Sequence, residues 1–573
     1  MTRRTRNILF VMCDQLRFDH LSCYGHPKLQ TPNLDALAAR GVIFDRAYVQ
    51  SPVCGPSRMS YYTGRYMQSH GVSWNFVPLK AGEMTIGDHL RPLGVNCALV
   101  GKTHMRADHA GMARMGIDPK SRIGVRIGEC GFDPFERDDG LHPYSGHDPD
   151  PHYNQYLREH GFGGDNPWEA WANTVTASDG TLHSGWFLKY SHLPARVPAE
   201  HSETAYTTTR AMDFMREAKA KAANNGGQPW LLHLSYIKPH WPYVVPAPYA
   251  GMYQPADALP LVRADSELGD GAHPVYAAMT RHRVSRTFAD PAVRDAVMVG
   301  YMGLVKQIDD ELGRLFAFMT QEGLMQETMI VFCADHGDFL GDHWLGDKEM
   351  FHEPVVRTPL IIADPDARAD ATRGTRCDAL VEAVDLAPTF LDVYEGQALP
   401  HVIDGRSLRP FLFGRTPERW REIAVCECDY AFQSSRIELG TPAREAWMRM
   451  AFDGRWKYVM TEGYRPMLFD LEADPQELRD LGASTTSEHA EVRARLHEAL
   501  FRWARQPRQR VTIPDDLIEA TDIQSRVAEA GVLIGYADEA DLAAQRQLFK
   551  PRYASTNPLV KITLDKLTGG QPS

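Results

Sequence analysis

The stretch I-L-F-V-M-C at residues 8–13 is followed directly by Asp14 and Gln15. An apolar run of this length without polar alternation is typical of a strand buried on both faces, as in a parallel sheet. In open α/β sheets, ligands bind beyond the carboxyl ends of the strands. The stretch therefore predicts a buried parallel strand with two polar residues at the edge where a ligand would lie.

Similar short apolar runs recur along the chain and alternate with amphipathic stretches, such as residues 302–318. The further runs are residues 95–100, 230–236, 329–333 and 360–363. This alternation favours an α/β fold in which helices sandwich a large, mostly parallel sheet. Polar segments follow three of the runs, in Gly101-Lys102-Thr103-His104, Lys238-Pro239-His240 and Asp335-His336. We expect these segments to converge at one edge of the sheet.

Beyond about residue 400, the alternation of apolar runs and amphipathic stretches gives way to a pattern typical of antiparallel strands and a helix. We therefore predict a catalytic α/β domain over residues 1–400 and a smaller C-terminal α+β subdomain over residues 401–506. Antiparallel strands are expected at 455–460 and 467–471, followed by a helix at 488–505. Residues 507–573 form a C-terminal extension with apolar groups, which we expect to contact a neighbouring subunit of a homodimer or homotetramer. The alternative is that this extension packs on its own subunit.

Composition excludes several classes of protein. The chain has 573 residues, of which 43% are hydrophobic and 24% charged, and this balance is ordinary for a globular protein. The net charge of −12 argues against nucleic-acid and anionic-membrane partners. No window approaches the roughly 20 apolar residues of a membrane span. Nine cysteines without paired spacing indicate reduced thiols, and we expect a cytoplasmic location.

The motif Cys54-Gly55-Pro56-Ser57-Arg58 is the sharpest chemical signal. It predicts a thiol at a helix start close to a cation, which is an environment that attracts anions and favours a thiolate. The alternative interpretation is an inert buried thiol before a helix that starts with proline. The motif alone does not decide between the two.

Together with its context, the motif resembles the sulfatase family of the alkaline phosphatase superfamily, in which C-x-P-S-R directs oxidation of the cysteine to formylglycine. Further family motifs occur in the family's order. They are Asp14-Gln15 after the first strand, G-K-x-H at residues 101–104, D-H-G-x-x-x-G-x-H-x-x-x-x-K at residues 335–348, and L-F-D-L-x-x-D-P at residues 468–475. The resemblance covers most of the chain and implies an alkaline-phosphatase-like fold.

The resemblance implies one divalent metal ion, held by Asp14, Gln15, Asp335, His336 and the group derived from Cys54. Hard oxygen ligands suit Ca²⁺, Mg²⁺ or Mn²⁺ better than Zn²⁺. Many sulfatases have Asp and Asn where this chain has Gln15 and His336. The change lowers the negative charge and adds a nitrogen donor, so Mn²⁺ stands beside Ca²⁺. The alternative is that these residues only cap turns or helices, the role that we assign to Asp35.

The resemblance also assigns catalytic roles. Cys54, as formylglycine, would be the nucleophile, and Arg58, Lys102 and Lys348 would hold the anionic oxygens of the substrate. His104 would be the base for breakdown of the intermediate, and His240 with Lys348 would assist the departing alcohol. Asn75 matches a substrate-contacting residue. Taken singly, such histidines are more often structural and such lysines are usually solvated.

The Gln15 and His336 positions resemble the branch that contains choline sulfatases, cytosolic arylsulfatases and phosphonate monoester hydrolases. Typical phosphonate monoester hydrolases replace the Lys and His of G-K-x-H, whereas this chain keeps Lys102 and His104. We therefore predict a sulfatase that cleaves aryl-sulfate-like monoesters and also acts on phosphonate monoesters and phosphodiesters. The alternatives are a phosphonate monoester hydrolase or phosphodiesterase, a choline sulfatase, and a non-catalytic anion-binding protein with unmodified Cys54.

The expected partners are a small anionic ester and a formylglycine-generating or equivalent maturation enzyme. The leaving group depends on loops. Trp74 could pack an aryl or a quaternary ammonium group, although core packing is the ordinary role of a tryptophan.

Overall fold

The computed structural model describes residues 3–146, 150–225, 227–399 and 402–506, without the side chains of 222–225. The predicted extension at 507–573, with its predicted subunit contacts, lies outside the described residues. Residues up to 398 and from 402 to 506 pack as one compact unit. A boundary between a catalytic domain and a C-terminal subdomain near residue 400 stays a prediction.

Sixteen strands form three sheets within the described residues. In chain order they are β1 (Asn7–Asp14), β2 (Val42–Tyr48), β3 (Asn96–Gly101), β4 (Asp133–Arg137), β5 (Thr174–Thr176), β6 (Leu182–Ser184), β7 (Pro194–Ala195), β8 (Trp230–Pro239), β9 (Val245–Pro246), β10 (Thr328–Ala334), β11 (Leu360–Ala363), β12 (Thr375–Glu382), β13 (Ala424–Asp429), β14 (Trp447–Phe452), β15 (Trp456–Thr461) and β16 (Met467–Asp470).

The main sheet has the strand order β12-β2-β11-β10-β1-β8-β3-β4. All neighbours pair in parallel except β11, which is antiparallel to both β10 and β2. The strand β1 lies in the middle, between β10 and β8. The predicted α/β fold with a large, mostly parallel sheet is confirmed.

The apolar run of β1 is buried on both faces. Even-numbered side chains from Ile8 to Met12 join one hydrophobic core, and odd-numbered ones from Leu9 to Cys13 join the other. Side chains of a strand alternate between its faces, so both faces of the sheet must be covered. Helices cover them. The α-helices are α1 (Pro32–Arg40), α2 (Cys54–Thr63), α3 (Met67–His70), α4 (Ile86–Leu90), α5 (His109–Arg114), α6 (Arg122–Gly128), α7 (His152–Glu159), α8 (Glu203–Asn225), α9 (Pro274–Thr280), α10 (Arg283–Phe288), α11 (Pro291–Gln321), α12 (Glu353–Val356), α13 (Leu386–Val393), α14 (Arg409–Leu412), α15 (Ser434–Leu439) and α16 (Ser487–Ala504).

The helix α11 is longer than the predicted 302–318. It begins at Pro291, after the side chain of Asp290 accepts a hydrogen bond from the backbone N–H of Ala292. An N-cap carboxylate followed by proline at the first helical position is a strong helix start. The sequence analysis underestimated the helix because it followed the apolar face only.

The C-terminal region forms the antiparallel sheet β13-β14-β15-β16, against which α16 packs. The buried Lys457 on β15 joins this sheet to the rest of the unit. Its ammonium lies 2.9 Å from a carboxylate oxygen of Glu353 and 2.6 Å from one of Glu477. A buried cation is tolerated when carboxylates pair with it in this way.

Two further expectations concern membrane-spanning segments and thiols. Among the helices that the structure describes, none combines the length and the hydropathy needed to cross a membrane. All nine cysteines lie within the described residues as free thiols.

Gly101 at the end of β3 generates a stability prediction. Its φ is 107°, and a Cβ there would lie 2.0 Å from the carbonyl oxygen of Ser235 on β8. Gly94 is a matched control, because its φ is 81° and a Cβ would meet no atom within 4 Å. We expect Gly94→Ala to cost about 1–2 kcal/mol through backbone strain alone. Gly101→Ala should lower the thermal midpoint clearly further, and equal shifts for the two variants would contradict this account.

Candidate active site

Three chain segments that carry candidate residues end at one edge of the main sheet. Asp14 is the last residue of β1, Lys102 follows β3, and Asp335-His336 follows β10. Because β10, β1, β8 and β3 are adjacent and parallel, their carboxyl ends lie together. The predicted convergence is therefore what the topology produces, and Asp14, Lys102, Asp335 and His336 are all buried.

Arg58 connects these segments to α2. Its side chain is 0% exposed, and it donates from Nη2 to Asp14 Oδ2 at 3.0 Å and from Nε to Asp335 Oδ2 at 2.7 Å. Its Nη1 donates to the carbonyl oxygen of Lys102 at 3.0 Å and to Ser235 Oγ at 2.8 Å. Four of the five guanidinium N–H groups are thus engaged. Arg58 positions the two carboxylates and keeps at most one donor for a substrate.

The helix α2 begins at Cys54 and is buried along its whole length. Ser57 Oγ donates to the carbonyl oxygen of Asp335 at 2.5 Å, which fixes the first turn against β10. The backbone N–H of Gly55 donates to Asn75 Oδ1 at 2.8 Å. Asn75 therefore accepts a hydrogen bond from a backbone N–H that has no partner within the helix, and its amide Nδ2 remains a donor.

The thiol of Cys54 lies among charged and polar groups. Lys348 Nζ is 3.1 Å from Sγ, His336 Nε2 is 3.0 Å from it, and Asp14 Oδ1 is 3.7 Å from it. His336 Nδ1 lies 2.8 Å from the carbonyl oxygen of Gly337, which can only accept. That contact places the proton on Nδ1 and leaves the Nε2 lone pair facing Cys54. Burial also lowers the pKa of His336, so the imidazole is neutral.

Four side chains form a group that could hold a metal ion. One ligand atom from each of Asp14, Cys54, Asp335 and His336 lies within 4.8 Å of the others. Two carboxylates and a neutral imidazole nitrogen are suitable donors for a divalent cation. The residues present therefore fit a divalent metal ion of the kind that the family resemblance implies.

Gln15 is oriented toward this group by carboxylates that the sequence analysis did not identify. Its Nε2 donates to Asp338 Oδ2 at 2.7 Å and to Asp347 Oδ1 at 2.9 Å. The amide oxygen Oε1 consequently faces Lys348 Nζ, 3.2 Å away. Gln15 holds a left-handed φ of 65°. In the sequence, Asp338 is distinguished only by its position three residues after Asp335. Nothing in the local sequence indicates that its carboxylate accepts a hydrogen bond from the amide of Gln15.

Both candidate lysines lie close to acidic groups of the site. Lys102 Nζ is 2.7 Å from Asp14 Oδ2. Burial would raise the pKa of Asp14, but the cationic side chains of Lys102 and Arg58 hold that pKa well below its usual range. Burial would lower the pKa of Lys348, yet nearby Asp347 and Cys54 raise it well above its ordinary value.

The two candidate histidines are placed differently. His240 is buried, and its Nδ1 donates to the carbonyl oxygen of Trp241 at 2.6 Å. Burial drives its pKa well below the ordinary value, while Asp14 acts in the opposite direction. His240 is therefore a neutral imidazole with its proton on Nδ1 and a lone pair on Nε2, and it lies near Asp14. The backbone of His104 instead donates to Asp139 Oδ1 at 3.1 Å, and its buried Nδ1 has no hydrogen-bond partner within the part of the chain described.

The contacts of the candidate residues thus form one network. It includes Asp14, Gln15, Cys54, Arg58, Lys102, Asp335, His336 and Lys348 directly, and Asn75 through Gly55. No contact between His104 and this network is recorded among the described side chains. Its predicted role as a base stays a prediction.

Comparison with known proteins gives the family. The sulfatase family profile matches residues 6–396, and a profile described as the C-terminal part of N-sulphoglucosamine sulphohydrolase matches residues 341–506. The chain is similar to the multifunctional alkaline phosphatase superfamily protein PehA of Trinickia caryophylli, with 30% identity over 84% of this chain and 91% of PehA. It is 26% identical to an arylsulfatase of Clostridium perfringens over 83% of this chain and 90% of that protein.

A solved structure gives the same result. The phosphonate monoester hydrolase SpPMH from Silicibacter pomeroyi superposes with a TM-score of 0.74 and 29% identity, over 88% of this chain and 96% of that one. The profile match spans more than half of the chain, and the fold and motif order agree with it. The chain belongs to the sulfatase family of the alkaline phosphatase superfamily.

Proposed function

We propose that this protein hydrolyses sulfate monoesters, with a formylglycine made from Cys54 as the nucleophile. The observation that carries the proposal is the position of Cys54 at a buried helix start, with Lys348 and His336 within 3.1 Å of its sulfur. A structural thiol would be expected in apolar surroundings. This one lies instead among the groups that an anionic ester and a metal ion require.

Two groups would complete the site. A formylglycine at position 54, as its hydrate, would supply one hydroxyl as the nucleophile, and its second hydroxyl would let sulfate leave as the aldehyde re-forms, with no attack of water on the sulfate ester. A single divalent ion, either Ca²⁺ or Mn²⁺, supplies Lewis acidity there. Asp14, Asp335, His336 and the residue at 54 would hold the ion, and Gln15 would add its amide oxygen.

The lysines and histidines of the site would have separate roles in binding the sulfate and transferring protons. Lys102 and Lys348 keep donors for the sulfate oxygens, since Arg58 is largely saturated by its carboxylates. Lys348 remains protonated and close to Sγ, so it would stabilise charge on the departing alcohol oxygen. His240 would exchange a proton with that oxygen, and His104 would take a proton in the breakdown step.

The second candidate is a phosphonate monoester hydrolase or phosphodiesterase. It is favoured by the similarity to SpPMH and to the multifunctional PehA. We prefer the sulfatase because the chain keeps Lys102, whose ammonium lies 2.7 Å from Asp14. Activity on phosphonates and phosphodiesters would be a side activity, because the pocket recognises tetrahedral anions in general.

The proposal includes partners. The substrate is a small anionic ester, and a formylglycine-generating or equivalent enzyme must act on Cys54. We also propose a homodimer or homotetramer, as expected from the length of the C-terminal extension.

The nucleophile is tested at Cys54. Cys54→Ala should lower the turnover of an aryl sulfate about a thousandfold or more, because the attacking group is lost. Cys23→Ala, which removes a half-buried free thiol, is the matched control and should retain turnover. The intact mass of the wild type should show the lighter aldehyde in place of the thiol. A purely thiol-bearing protein that is fully active, or an active Cys54→Ala protein, would refute the mechanism.

The metal site is tested at Asp335. Asp335→Asn keeps the shape of the side chain but removes a charged ligand, so divalent metal per chain after dialysis should fall severalfold by elemental analysis. Asp35→Asn is the control, since that carboxylate accepts from Ser22 Oγ at 2.8 Å, and should leave the metal content unchanged. Two tightly bound zinc ions per chain would contradict the single-metal proposal.

The substrate class is tested with the wild type. An aryl sulfate, choline sulfate, an aryl phosphonate monoester and a phosphodiester should be compared by kcat/KM under identical metal conditions. We expect the aryl sulfate to give the highest value. A higher value for the phosphonate monoester or the phosphodiester would establish the second candidate instead.

A further inference from the structure

Three aromatic rings form a cluster that is partly open to solvent. The ring centroids of Phe76 and Phe432 are 4.8 Å apart in an edge-to-face arrangement, and those of Trp74 and Phe432 are 5.9 Å apart. Trp74 is buried, whereas Phe76 is 54% exposed and Phe432 is 50% exposed. We call Trp74, Phe76 and Phe432 the aromatic rim. Two large exposed rings that meet one another mark a place for an apolar ligand.

One side of the aromatic rim is tied to the start of α2. Trp74 and Phe76 flank Asn75, whose Oδ1 accepts from the N–H of Gly55. The backbone is equally close, because a Cβ on Gly55 would lie 3.0 Å from the Cα of Asn75. Consecutive Cα atoms are about 3.8 Å apart. Trp74 and Phe76 are therefore each one residue away from Asn75, and the backbone of Asn75 lies close to Gly55, the residue after Cys54.

The other side of the aromatic rim is tied to Lys348 by a separate segment. Phe432 precedes Gln433, whose side chain lies close to the carboxylate of Glu349. Glu349 follows Lys348, whose Nζ is 3.1 Å from Cys54 Sγ. Two segments that are distant in sequence thus bring aromatic rings to the same edge of the site.

We propose that the aromatic rim binds a neutral aryl leaving group of the ester while its sulfate lies at Cys54. The inference rests on the proposed function and adds to it the residues that recognise the alcohol. In a displacement in which the nucleophile and the leaving oxygen are in line, the ester oxygen points away from the nucleophile. A leaving group therefore extends from the buried pocket toward its open edge, where a planar aromatic group can stack on the exposed rings.

The sequence beside the rings favours an aryl group over a quaternary ammonium. Aromatic faces attract cations as well, but no charged residue flanks the three rings. The flanking residues are Ser73, Asn75, Val77, Ala431 and Gln433. These sequence neighbours therefore offer apolar contact and ring stacking rather than a counter-charge for a cation.

The test uses single and double alanine variants at Phe76 and Phe432. Phe501→Ala is the matched control, because Phe501 is also 50% exposed but lies on α16. Two aryl sulfates with phenols of similar acidity, 4-nitrophenyl sulfate and the larger 4-methylumbelliferyl sulfate, are compared with choline sulfate. We expect the double variant to lower kcat/KM for the larger aryl ester about tenfold or more, mainly through KM, since remote binding is lost.

Two further measurements separate this inference from others. Inhibition by inorganic sulfate should be unchanged in the double variant, because the anion pocket is intact. Binding of 4-methylumbelliferone to the Cys54→Ala protein should weaken when both phenylalanines are removed, and this readout requires no turnover. If the wild type cleaves no sulfate ester, the proposed function fails while this binding result still decides the inference. Unchanged aryl kinetics and binding, an equal loss in Phe501→Ala, or a larger loss for choline sulfate would each overturn it.

Discussion

The buried guanidinium of Arg58 is the interaction on which the site depends. It forms ion pairs with both Asp14 and Asp335, which lie at the ends of two neighbouring strands and are fully buried. Two carboxylates so close together in the interior would otherwise repel one another and would lack solvation. The same residue belongs to α2, so Arg58 connects the helix start that carries Cys54 to both carboxylates, and Lys102 adds a second positive charge at Asp14.

This arrangement decides which cations can reach a substrate. Because Arg58 is committed to its carboxylates, the anionic substrate of the proposed function would depend on Lys102, on Lys348 and on a metal ion that the same carboxylates could hold. The neutral state of His336 follows the same logic, since burial keeps the proton off Nε2 and leaves a lone pair for a metal. The groups are held by strand ends and a helix rather than by long loops, which suits a site that must be organised before the substrate arrives.

The sequence predicted the parts of this structure that depend on local pattern. The run of β1 showed a strand buried on both faces, and the motif around Cys54 showed a helix start. The analysis did not identify β4 or β12, because their sequences D-P-F-E-R and T-R-C-D-A-L-V-E carry charges. Both are edge strands of the main sheet, where one side is open and charged side chains are tolerated.

Within the site, residue identity was easier to predict than residue contact. Asp338 and Asp347 orient Gln15, and Ser235 accepts a hydrogen bond from Arg58. Each of these contacts joins segments that are far apart in sequence. His104 shows the opposite case, since its motif is present while its recorded contact is with Asp139. A motif specifies which side chains are available, whereas their partners depend on three-dimensional packing.

The anion pocket and the aromatic rim differ in how they are supported. Asp14, Arg58 and Asp335 lie on β1, on α2 and directly after β10, where a substitution would disturb the core of the sheet. The rings of Phe76 and Phe432 lie on connections between elements and are half exposed, so their replacement leaves Arg58 and its carboxylates unchanged. Connections tolerate change better than the elements that they join. Under the proposed function, recognition of the tetrahedral anion would therefore be constrained by the fold, while the choice of alcohol would be free to vary at the aromatic rim.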